Sequence, residues 1–172
     1  MGIFGIRIPL IVGLSIEFLG IGLIFLALNY STRVQVPSIN LIVYLFSEVC
    51  LVFFPHCLVH FIVGSLVGIR FNHFRIVRSA ISKLELPGKL PSLPVLCLVV
   101  DHGSLKRCSA VGRAVMYASG AIASMILPFS VVVYAFGKLP FSPWLVCLMF
   151  AVANLAFDIY YSPRVGDISR IS

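Results

Sequence analysis

Acidic side chains are scarce in this chain: six Asp and Glu stand against thirteen Lys and Arg in 172 residues, and charged residues of both signs make up only 11%. A water-soluble domain of this size could not cover its surface with so few charges, which excludes a soluble globular class. The five cysteines, Cys50, Cys57, Cys97, Cys108 and Cys147, are odd in number, and three fall inside apolar segments, so a disulfide framework is excluded. There is no Gly-rich phosphate loop, no Ser-His-Asp order and no Cys-x-x-Cys knuckle. Cys97, His102 and Cys108 alone make a poor metal site. No small-x-small cleavage site follows the first apolar run, so that run reads as a retained span rather than a secretory signal.

What the chain has instead is apolar length: 60% of residues are hydrophobic and the mean hydropathy is +1.07. A helix needs about 20 apolar residues to cross a hydrocarbon core of about 30 Å. Spans are expected over about 8–28, 39–69, 114–136 and 143–160. The second, as one straight helix at about 1.5 Å per residue, would reach roughly 46 Å, so a break is expected near Pro55, which lacks a backbone donor. The segment 70–113 holds eight of the thirteen basic residues together with Pro87, Gly88, Pro91 and Pro94. Within it, Ala80–Leu86 and Val95–Val100 have the length of strands. The expected fold is a single membrane domain over 1–172, an all-α integral membrane protein with about four transmembrane helices and a small β-hairpin-bearing loop between the second and third.

Placing the N-terminus inside puts eleven basic residues on the cytoplasmic side, leaving Arg33 and Lys138 outside. The expectation is a protein of the cell (plasma) membrane with the basic loop and both termini cytoplasmic. The net charge of +7 sits beside apolar segments rather than along a soluble face. Lipid headgroups and other membrane proteins are therefore the expected partners, and nucleic acid is not.

Ionisable groups at membrane depth are functional candidates by default, and here they are Glu17, Glu48, His56, His60 and Asp158. His56 and His60, four apart, share one helix face and could reach one cation, although two histidines bonded to neighbouring helices would look the same in sequence. Asp158 is expected at a similar depth to His56. Aromatics near the span ends, such as Trp144 and Tyr160, read as interfacial anchors.

The order Pro55-His56-Cys57-Leu58-Val59-His60, then a basic hairpin-bearing loop, then Tyr117-Ala118-Ser119-Gly120-Ala121-Ile122-Ala123-Ser124, then Asn154-Leu155 followed by Gly166-Asp167-Ile168-Ser169-Arg170-Ile171, resembles the core of the site-2 protease family of intramembrane zinc metalloproteases. Across Phe54 to Ile171, the resemblance implies zinc as cofactor, with His56 and His60 as ligands and Asp167 as the third. Two departures bear on this. Cys57 stands where the family carries its general-base glutamate, and without a base to take the proton from the attacking water, peptide hydrolysis loses a main catalytic term. The spacing from Asn154 to Asp167 exceeds the family pattern, which leaves Asp158 as an alternative third ligand. Cys57 is a candidate extra ligand, and Glu17 or Glu48 a candidate relocated base.

Three functions follow as expectations. The first is a proteolytically inactive site-2-protease-like protein, a zinc-binding or structural subunit acting through helix contacts. The second is an active intramembrane zinc metalloprotease with a relocated base. The third is an accessory subunit of a respiratory or transport membrane complex, in which haem is disfavoured because His56 and His60 share one face rather than opposing each other.

Overall fold

In the computed structural model, residues 5–34, 36–78 and 94–171 are described. Strand β1 (Arg7–Pro9) runs straight into helix α1 (Leu10–Ser31), because Pro9 lacks the N–H that a strand or a helix interior would need. Helix α2 (Pro37–Leu66) starts on a proline, whose missing donor costs nothing in a first turn. It ends where Gly68 adopts a positive φ of 83° and the Ile69 N–H donates to the Gly64 carbonyl at 2.8 Å. Strands β2 (Phe71–Arg78) and β3 (Pro94–Val100) follow, then a short helix α3 (His102–Arg107), then α4 (Ala110–Ile126), α5 (Pro128–Ala135) and α6 (Phe141–Tyr161). A 3-10 turn covers Ile168–Arg170. Asp101 and Ser109 cap α3 and α4 by accepting from the N–H groups of Ser104 and Gly112.

Four helical stretches, Leu10–Ser31, Pro37–Leu66, Ala110–Ala135 and Phe141–Tyr161, are long and apolar enough to cross a membrane. Their outward faces carry large apolar side chains such as Leu19, Phe25, Val133 and Met149. The three strands form one antiparallel sheet in the order β1-β2-β3. Phe74, fully buried at its centre, packs with Cys57 and Leu98, and its ring lies so close to Gly13 that an added methyl there would overlap it. The sheet is thus clamped to the ends of α1 and α2 that lie nearest the loop.

Several expectations change. The first span starts at Leu10, because residues 7–9 are recruited as a third strand, so the β part is a sheet rather than a hairpin alone. Val95–Val100 does lie in a strand, but its partner is Phe71–Arg78; Ala80–Leu86 lies outside the described residues. α2 runs through Pro55 without the expected break. The carbonyl of Val52, in the turn before the proline, accepts the Ser124 hydroxyl at 2.9 Å, which ties α4 to α2 beside the proline.

The third span is the one a proline divides. Pro128 deprives the Ser124 carbonyl of its ordinary helical donor, and Asn154 on α6 replaces that donor with its side-chain N–H at 2.9 Å. Asn154→Leu should therefore orphan a carbonyl and lower unfolding stability in detergent by about 1–3 kcal/mol, measurable as a shifted denaturation midpoint.

Candidate metal centre

His56 and His60 lie one turn apart on α2 and face α4 and the C-terminal segment. Asp167 reaches them because the chain after α6 folds back: Val165 N–H and Gly166 N–H donate to the Tyr161 carbonyl, and Ser169 N–H to that of Ser162. Asp167 Oδ2 then lies 2.8 Å from His56 Nε2 and 3.2 Å from His60 Nε2, and the two Nε2 atoms are 3.2 Å apart.

The partners on the far side of each ring bear on the tautomers. His60 Nδ1 is 2.7 Å from the Met116 carbonyl, which can only accept, so Nδ1 carries the hydrogen. His56 Nδ1 is 2.8 Å from Ser124 Oγ, which also reaches the Val52 and Gly120 carbonyls; with the hydroxyl hydrogen on either carbonyl, Oγ accepts from Nδ1–H and the His56 Nε2 lone pair is free. Both Nε2 atoms therefore present lone pairs, and they meet a carboxylate oxygen. Three acceptors within 3.2 Å of one another repel unless a positive centre lies among them. A tetrahedral cation with bonds of about 2.0–2.1 Å would set such edges at roughly 3.3 Å, close to those found. Among the described residues, His56, His60 and Asp167 form a group that could hold a metal ion.

The expected residues divide cleanly between those brought together and those left apart. Asp158 is not in the group; its Oδ2 is buried without a partner among the described residues. Cys57 is turned away: its thiol donates to the Leu96 carbonyl at 3.4 Å inside the cluster with Phe74 and Leu98. Glu48 is fully buried two turns earlier on α2, and neither of its carboxyl oxygens has a partner among the described residues. Glu17 is 2% exposed on the α1 face that includes Gly13 and Gly20, which abut Phe74 and Phe54, and this puts it at the level of Cys57. Cys97, His102 and Cys108 do not gather, and the Cys108 thiol donates to the Val67 carbonyl instead.

Two supporting groups escape the sequence reading, the Ser124 hydroxyl and the Met116 carbonyl. Met116, Gly120 and Ser124 recur every four residues, and that stripe is the signal that one face of α4 lies against the histidine face of α2. Ser124→Ala should leave His56 free to turn and weaken metal binding by about 10–100-fold, as loss of such outer partners does. A competitive chelator titration checks this.

Compared with protein-family models, curated proteins and solved structures, the chain matches none.

Proposed function

We propose that this chain is a membrane protein with a site-2-protease-like core that holds one zinc ion on His56, His60 and Asp167 and acts through helix contacts with other membrane proteins rather than by conventional proteolysis. The observation that carries the reading is the convergence of two Nε2 atoms and a carboxylate oxygen within 3.2 Å. Nitrogen and oxygen donors at these separations suit zinc. A bound zinc supplies Lewis acidity there. The chain's own residues do the rest: Ser124 and the Met116 carbonyl hold the imidazoles, and the Asp167 carboxylate balances charge.

What sets the reading apart from an ordinary protease is position 57. A buried thiol bonded to a strand carbonyl cannot serve as the family's base. The cell membrane, with both termini and the basic segment on the cytoplasmic side, is the proposed location, supported by the eleven-to-two distribution of basic residues. Metal analysis of purified protein is the test. About one zinc per chain is expected, and a protein with no zinc after metal-replete purification would sink the proposal.

One placement favours a second reading, an active metalloprotease. Glu17 brings a buried carboxyl, with Oε2 unpartnered among the described residues, to the α1–α2 contact near Cys57. If Glu17 serves as the base, cleavage of a model transmembrane substrate should fall by about 100-fold or more in Glu17→Gln while zinc content is unchanged. Absence of cleavage by the unaltered protein leaves the first reading standing.

A further inference from the structure

At the end of the bundle away from the sheet, the last turn of α1, the first turns of α2 and the turn between α5 and α6 enclose a pocket of about 320 Å³. Its α2 lining residues, Pro37, Asn40 and Tyr44, lie about 18–28 Å along the helix from His56, so it is separate from the metal centre. Its polar lining has an unusual balance. Ser31 Oγ–H is spent on the Leu28 carbonyl and Thr32 Oγ1–H on the Asn29 carbonyl, so both oxygens are left as acceptors. Asn40 is only 9% exposed. Its Nδ2 donates to the Val34 carbonyl at 2.8 Å, which fixes the amide orientation, and its Oδ1 has no partner among the described residues. Among the described residues that line the pocket, the one charge is Lys138, whose ammonium lies 3.0 Å above the Tyr134 ring.

Lone pairs on one side and a single cation on the other call for a ligand with N–H donors and an anionic group. We propose that this pocket binds an aminophosphate headgroup, its primary ammonium on Asn40 Oδ1 and the Ser31 and Thr32 oxygens and its phosphate beside Lys138. A membrane end is where such headgroups lie, and phosphatidylethanolamine is the lipid of this chemistry. A choline headgroup carries the same phosphate but no N–H donor, so the pocket discriminates between the two. An unpaired buried amide oxygen is costly, and a charged donor removes that cost.

Native mass spectrometry of the full chain in detergent, titrated with phosphatidylethanolamine and phosphatidylcholine of identical acyl chains, tests this. About tenfold tighter binding of the ethanolamine lipid is expected. Asn40→Leu should abolish the preference, and Lys138→Gln, at an exposed position, should weaken binding of both lipids several-fold. Displacement of the bound lipid by soluble phosphoethanolamine, but not by phosphocholine, would locate recognition in the headgroup and admit a free aminophosphate as ligand. Equal binding of the two lipids, a preference that survives Asn40→Leu, or indifference to Lys138→Gln would overturn the proposal. None of these results bears on zinc at His56, so the two readings fail separately.

Discussion

His60→Ala should strip zinc from the purified protein and raise its zinc dissociation constant by more than about 100-fold, a floor set by what loss of an outer partner alone can do. His60 is the more buried of the two histidines and makes three polar contacts, with the Met116 carbonyl, His56 and Asp167. Its removal leaves two donors, too few for a closed site. His56→Ala and Asp167→Ala should have effects of the same order. Asp158→Asn and Cys57→Ala should leave zinc binding within a few-fold of the original, because neither side chain belongs to the convergent group. Equal zinc in the original protein and in His56→Ala plus His60→Ala would remove the metal centre altogether. Loss with Asp158→Asn but not with Asp167→Ala would move the third ligand to α6.

That contrast between the two aspartates shows where sequence reasoning reaches its limit. Counting depth along straight helices places Asp158 level with His56, and it does lie on α6 with a buried carboxylate oxygen. The count cannot see a chain reversal. Residues 162–167 leave α6 and fold back on hydrogen bonds to Tyr161 and Ser162, and this turn, rather than any helical period, delivers Asp167 to the histidines. The histidine pair itself was legible, since spacing alone puts positions 56 and 60 on one face. What they face was not, because it depends on the packing of α4 against α2.

The helices were legible for a simple reason: long apolar runs have one solution in lipid. The sheet was only half legible. β1 is three residues long and includes a proline, so no alternation can announce it, and β2 threads Arg75 and Arg78 through a sequence dense in basic residues. Both are strands because Phe74 fills the space beside Gly13, a tertiary cause without a local signature. Proline misled in a similar way. The sequence predicts a break at Pro55 and gives no such signal at Pro128, yet α2 is continuous at the first and the third span divides at the second. Hydrogen bonds from other helices are present at both points. Ser124 joins them, its hydroxyl donating to the Val52 carbonyl and lying 2.8 Å from His56 Nδ1, and its carbonyl accepting from Asn154.

Gly120 is where this packing can be tested most sharply without touching a ligand. Any Cβ added there would fall inside the His60 ring, so α4 can approach α2 this closely only with glycine at that position. Gly120→Ala therefore has two outcomes available. Either the imidazole rotates, giving up the Met116 carbonyl and withdrawing Nε2 from Asp167, or the two helices separate at a cost of about 1–3 kcal/mol. The first removes a metal donor outright, and the second lengthens the distances on which the site depends, so zinc affinity should fall by more than about 100-fold in both cases. Alanine ordinarily favours a helix over glycine by about 1 kcal/mol, so helical content measured by circular dichroism should hold or rise while zinc is lost. Gly22→Ala supplies the control, because nothing lies within 4 Å of a Cβ added there, and it should bind zinc as the original does. If Gly120→Ala also retained full zinc affinity, the ring of His60 would have to lie elsewhere, and the coordination set built on it would fail with it.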